Sequence, residues 1–173
     1  MSKSFPAALP VAGIVLRILV VLNWIYCGIV LAILIGMLAA QQWTMTALGV
    51  PPSAETEPMI QGMRMIAALG LVGVPLNYIV FSRLLAMVNT VRAGDPFVAK
   101  NALRLQAIAR AVLGQQVLQL VIGLMAKLVS TPTHPLHISV FSTSGWLAVI
   151  LLFVLARVFA EGTRLRDDLD GTV

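Results

Sequence analysis

Val91-Arg92-Ala93-Gly94-Asp95-Pro96-Phe97-Val98-Ala99-Lys100-Asn101-Ala102-Leu103-Arg104 is a short polar interruption near the middle of an otherwise apolar chain. It holds a Gly-Asp-Pro turn and three of the twelve basic residues. Two long hydrophobic runs precede it and two follow it. This pattern reads as an all-α integral membrane protein, a four-helix bundle of antiparallel neighbours forming a single domain over 1–173.

Composition leads to the same class. Of 173 residues, 59% are hydrophobic and 11% charged, and the mean hydropathy is +0.94. A soluble domain carries about 25% charged and about 45–50% apolar residues, so one soluble core cannot absorb this excess. The net charge of +5 would raise nucleic acid as a partner for a soluble chain. Here the basic residues sit at the ends of hydrophobic runs, where membrane orientation is encoded. Membrane lipids are therefore the expected contact, and direct nucleic-acid binding is not expected. Cys27, the one cysteine, permits no disulfide within the chain and reads as a small packing residue. The run from Pro10 to Ala40 contains Arg17 and far exceeds a signal core of about 7–15 residues, so an uncleaved anchor is expected.

Four spans are expected, at about 11–40, 63–91, 105–129 and 141–160. In the first, Gly28, Ala32, Gly36 and Ala40 recur every fourth residue, a line of small side chains along which another helix can approach. Helix packing is the general reading, and a homo-oligomer through this face is one form of it. Gln41–Gly62 reads as a loop, broken by Val50-Pro51-Pro52-Ser53, with Trp43 at interfacial depth. In the second span Pro75 removes a backbone donor, and Asn77 is placed to satisfy the freed carbonyl. After the central turn, Asp95 is expected to cap the third helix, with Pro96 at its first position. Gln115, Gln116 and Gln119 share one side of that helix. Amides at this depth should face the interior, where they either bond between helices or line a polar pocket. Ser130–Ser144 reads as a second polar loop. The last span ends with Arg157 and Glu161 at i, i+4, and the helix is expected to continue into a tail where Arg164 with Asp168 and Arg166 with Asp170 repeat that spacing.

Four spans place both termini and the central turn on one side. That side holds Lys3, Arg17, Arg83, Arg92, Lys100, Arg104, Arg110, Arg157, Arg164 and Arg166, against Arg64 and Lys127 on the other. An excess of Lys and Arg marks the cytoplasmic side, so the termini and the central turn are expected there.

Candidate chemistry is sparse. His134 and His137 are spaced HxxH in the second outer loop, with Glu55 or Glu57 as the only outer-loop residues to complete a set. Zinc needs three or four ligands, so solvated histidines and no metal are the reading. Cys27 has no histidine or carboxylate at matching depth, as a nucleophile requires. The ionisable groups Arg17, Arg83, Arg157 and Glu161 all lie near the expected cytoplasmic boundary, which disfavours proton-coupled transport. No enzyme activity and no cofactor are expected. The charged groups concentrate on the cytoplasmic side, where Arg104 or Arg157 is expected to pair with Glu161.

Gly94-Asp95-Pro96-Phe97 with Asn101 and Arg104-Leu105, then Ala156-Arg157-Val158-Phe159-Ala160-Glu161-Gly162-Thr163-Arg164-Leu165-Arg166 and the ending Asp168-Leu169-Asp170-Gly171-Thr172-Val173, resemble a family of bacterial four-span inner-membrane proteins of unknown function. The resemblance extends over nearly the whole chain. Many such proteins carry an acidic residue where this chain has Arg157. Members are often encoded beside a small Cro-like helix-turn-helix regulator, which implies such a protein as a cytoplasmic partner. The resemblance brings no catalytic residues.

The leading expectation is thus a non-enzymatic membrane regulator or sensor in a bacterial inner membrane. Its partner-binding face would comprise Asp95, Phe97, Asn101, Arg104, Glu161, Arg164 and Arg166. The alternative is a small transporter or small-ligand-binding protein whose polar interior uses Asn77, Gln115, Gln116 and Gln119.

Overall fold

The computed structural model describes residues 5–49, 53, 56–94, 98–130 and 139–170, with only the helical backbone at 5–8 and 167–170. Among them the protein is all-α, with five helices: α1 (Phe5–Ala39), α2 (Gln41–Ala47), α3 (Glu57–Arg92), α4 (Ala99–Val129) and α5 (Thr143–Asp170). All but α2 are long and apolar enough to cross a membrane. Each exceeds the ~20 residues that span a hydrocarbon core about 30 Å thick. Large apolar side chains such as Ile14, Trp24, Ile150 and Val158 are exposed along these helices. That surface suits lipid and would not suit water.

The expected loop at Gln41–Gly62 is only partly a loop. α1 stops where Ala40 leaves helical backbone, at φ −140° and ψ 54°, and α2 follows at once. α2 is held because Thr44 and Met45 are buried. A Cβ on Gly36 would lie 2.8 Å from Thr44 Oγ1, so the close return of α2 onto the last turn of α1 needs glycine there. Trp43, on the opposite face of α2, is exposed. α3 starts earlier than the hydrophobic run suggests. Ser53 N–H donates to Thr56 Oγ1 at 2.8 Å and Thr56 N–H to Ser53 Oγ at 3.3 Å, a reciprocal cap ahead of Glu57.

Pro75 lies inside α3, whose helical backbone runs on to Arg92. α3 ends where Gly94 takes φ +90°, a left-handed conformation that closes a helix and favours glycine. Ala93 N–H still reaches Asn89 O at 3.1 Å. α4 begins at Ala99, so its first turns include the amphipathic residues Lys100, Asn101 and Arg104. The expected capping by Asp95 and Pro96 lies outside the described residues. α5 continues through the tail to Asp170, as expected.

The chain forms two compact units. The first comprises Met1–Leu22, Leu76–Gly114 and Thr143–Val173, and the second Asn23–Pro75 and Gln115–Ser142. In the first unit Leu105, Ile108 and Ala156 form a buried core, flanked by Val80, Leu84, Met87, Val112, Leu152 and Phe159. This core joins α3, α4 and α5. In the second, Met37, Met45, Met59 and Ile60 are buried together, with Ile33 and Met63 packed on them. Unbranched methionines fill the uneven space where α1, α2 and α3 meet. The two units differ in charge. Arg17, Arg83, Arg92, Lys100, Arg104, Arg110, Arg157, Arg164 and Arg166 belong to the first, but only Arg64 and Lys127 to the second.

Candidate functional site

The first unit contains a polar lock between the end of α3 and the start of α4. Asn101 is fully buried, in the first turn of α4. Its Oδ1 accepts from Arg104 Nη1 at 2.9 Å, and Arg104 Nη1 also donates to Ala86 O at 3.1 Å. Nη1 has two hydrogens, and these two acceptors are nearer than Thr90 Oγ1 at 3.4 Å. Thr90 has one hydroxyl proton to share between Met87 O at 2.7 Å and Asn101 Oδ1 at 3.0 Å. A guanidinium therefore ties a buried amide to a carbonyl of the neighbouring helix. Such charge-assisted bonds are the stronger kind.

The expected pairing of Arg104 or Arg157 with Glu161 is not what forms. Arg104 turns toward α3, and Glu161 pairs along its own helix with Arg164, at 3.7 Å and i, i+3. Both partners are exposed, so this pair contributes ~0–1 kcal/mol. Arg157 is also exposed and lines a groove of about 260 Å³ between α4 and α5, with Ala102, Leu103, Phe153, Ala156 and Ala160. A further groove of about 360 Å³ lies between the start of α4 and the end of α5. It is lined by Ala99, Ala102, Leu103, Ala160, Thr163 and Arg164. Small residues on both helices leave these hollows. The structure thus sets Asn101 and Arg104 on the α3 side of α4, while the α5 side meets the turn bearing Arg164. Arg166 is exposed on the same tail. Asp95 and Phe97 lie outside the described residues.

In the second unit, sequence reasoning passed over Asn23 and counted Arg64 only as a charge. Asn23 is buried and donates from Nδ2 to Val74 O at 3.2 Å, beside Pro75. Arg64 Nη2 donates to Met37 O and to Gln41 Oε1, both at 2.7 Å. Gln41 Nε2 then donates to Glu57 Oε2 at 2.9 Å. Met37 O belongs to the last turn of α1, where a cation meets the negative end of the helix dipole. The lone cation between two apolar runs and the isolated amide inside a span were the available signals for Arg64 and Asn23, and neither names its partner.

The expected polar interior is divided. Asn77 belongs to the first unit, and half-buried Gln115, Gln116 and Gln119 to the second. Gln119 donates to Ser139 O at 3.4 Å. The cavity of about 390 Å³ in the second unit is lined by Tyr26, Val30, Ile33, Met37, Met63, Ile66, Ala67, Gly70 and Ile122, so it is apolar and none of the glutamines lines it. In the small-residue line, Gly36 packs on Thr44, while Gly28, Ala32 and Ala40 are exposed. His134, His137 and Glu55 lie outside the described residues.

Four helices long and apolar enough to cross a membrane point to a multi-pass membrane protein. Residues 38–173 match the family described as "Protein of unknown function (DUF2975)", and the chain belongs to that family. The match takes in α2 to α5 and leaves most of α1, including Gly28, Ala32 and Gly36, outside it. No curated protein and no solved structure matches the chain.

Proposed function

We propose that the protein is a non-enzymatic regulator or sensor of the bacterial inner membrane that holds a small soluble protein on its cytoplasmic side. The orientation rests on the distribution of Lys and Arg between the two units. The observation that carries the partner reading is the groove where α4 begins and α5 ends. It is rimmed by exposed Arg164, with Leu103 and Leu165 also exposed nearby in sequence. A soluble partner would seat an apolar side chain in this hollow and meet the charges at its rim. The buried Asn101–Arg104 lock would hold the start of α4 in place for it. Asp95 and Phe97 are proposed to complete the face, and the family resemblance suggests a helix-turn-helix regulator as the occupant.

The test is recovery of the tagged full-length protein from its native membranes in mild detergent, with the bound proteins identified by mass spectrometry. A small DNA-binding protein at near-equal amount supports the reading. Arg164→Glu with Arg166→Glu should reduce that protein several-fold while the membrane protein still folds. Unchanged recovery sinks the assignment. The alternative, a small-ligand binder, draws its support from the apolar cavity of the second unit. It predicts a reproducible apolar small molecule in the same preparations and no stoichiometric protein.

A further inference from the structure

Arg83, Lys100, Leu103, Arg104 and Ala107 line a groove of about 290 Å³ between α3 and α4 in the first unit. Three cations border it, and among the described residues no acidic side chain does. Arg83 and Lys100 are exposed and form no hydrogen bond or ion pair among the described residues. Lys100 and Arg104 are spaced i, i+4 and so share one face of α4. Arg104 is held in place because its bonds to Asn101 Oδ1, at 2.9 Å, and Ala86 O, at 3.1 Å, both leave from Nη1. Its Nε–H and Nη2 hydrogens take no part in them, and a guanidinium edge matches the oxygens of a phosphate. Like charges gathered in one groove repel one another, and an anion bound among them offsets that cost.

The apolar wall decides which anion. Leu103 is 66% exposed, forming a ridge between this groove and the hollow on the α5 side. A free inorganic anion gains nothing from an exposed leucine, whereas an acyl chain covers it. The groove also lies between two span-length helices, where phospholipid surrounds the protein. Basic hollows between membrane helices suit anionic headgroups. We propose that the Arg83–Lys100–Arg104 groove is a binding site for the phosphate of an anionic phospholipid whose acyl chain lies against Leu103. This site is on the α3 side of α4, shares only Leu103 with the partner groove on the α5 side, and does not depend on it.

The test uses purified full-length protein in mild detergent. Dioleoylphosphatidylglycerol, dioleoylphosphatidylcholine and inorganic phosphate serve as separate probes, read by native mass spectrometry and by the shift in Tm. Phosphatidylglycerol should be retained and should raise Tm, with phosphatidylcholine clearly weaker. Each cation near a membrane surface contributes about 1 kcal/mol toward anionic lipid, so Arg83→Gln with Lys100→Gln should weaken phosphatidylglycerol roughly 30-fold. Arg110→Gln removes an exposed cation of α4 outside the groove and should change little. Should the double variant not fold, Lys100→Gln alone carries the comparison, at roughly fivefold. Equal binding of the two lipids, or equal effects of the groove variants and Arg110→Gln, overturns the proposal. Stabilisation by inorganic phosphate as great as by phosphatidylglycerol also overturns it and assigns a free anion. Arg164→Glu with Arg166→Glu should leave lipid retention intact, which separates this site from the partner face.

Discussion

Replacing Asn101 with leucine removes the amide at the centre of the α3–α4 lock while keeping a side chain of similar size. The structure sets the expected cost. Asn101 is fully buried, and its Oδ1 accepts from Arg104 Nη1 at 2.9 Å. A hydrogen bond to a charged group contributes about 1.5–3 kcal/mol in soluble proteins. Bonds between membrane helices average about 0.6 and reach about 1.7 kcal/mol. Two features bring the estimate down. Arg104 keeps Ala86 O at 3.1 Å, and Thr90 Oγ1 at 3.4 Å can take the released hydrogen. The expected loss is therefore ~1–2 kcal/mol, within the range for a partly compensated charged bond. It can be measured as the free energy of unfolding in mixed detergent micelles, as the fraction of denaturing detergent rises. A double-mutant cycle then isolates the bond. Asn101→Leu with Arg104→Met should couple by ~1 kcal/mol, whereas Asn101→Leu with Arg164→Met should be additive within ~0.5 kcal/mol. An Asn101→Leu protein as stable as the parent, or a cycle with Arg104 that is additive within the same limit, would refute the reasoning.

Three further outcomes follow from the packing and the charge distribution. Gly62→Ala places a Cβ 2.8 Å from Val129 Cβ and nearer still to its methyl groups, so unfolding should be easier by ~1–3 kcal/mol, while Gly28→Ala, with nothing within 4 Å, should not destabilise. Arg64→Met loses the bonds to Met37 O and Gln41 Oε1, and should cost ~1–3 kcal/mol in the same titration; a neutral result would mean that Arg64 does not hold the α1–α2 corner. In a Cys27→Ser background, Ser53→Cys should react with a membrane-impermeant thiol reagent on intact cells, and Arg166→Cys only after permeabilisation. The reverse pattern would invert the proposed orientation.

Much of the fold was legible because membrane crossing is a property of summed composition. Each of the four spans exceeds the length a bilayer requires, and no tertiary contact is needed to see that. α2 was not legible. Gln41–Ala47 is short and mixed in polarity, and it is held by burial of Thr44 and Met45 and by the room left at Gly36. The small-residue line met the same limit. Spacing by four puts Gly28, Ala32 and Gly36 on one face, but within the chain the close neighbour of Gly36 is Thr44 of α2. For the candidate site, Asn101 and Arg104 stood out by residue type and position. Their partners did not, because Thr90 and the carbonyl of Ala86 have no special signature in the sequence. Arg64 was counted only as a charge on the sparse side, although it joins α1 to α3.

By itself the sequence determined the helical class, the four apolar spans and the uneven placement of Lys and Arg. All three follow from local composition, from the obligation of a backbone in lipid to bond within its own segment, and from where charges fall along the chain. Only the tertiary structure decided the rotation of each helix about its axis. That rotation turned Arg104 toward Ala86 on α3 and left Glu161 to pair with Arg164. It also lined the cavity of the second unit with apolar side chains in place of the glutamines of α4. Rotation is set by which side chains interlock with a neighbouring helix, and that neighbour is distant in the chain, where spacing along one helix carries no information about it.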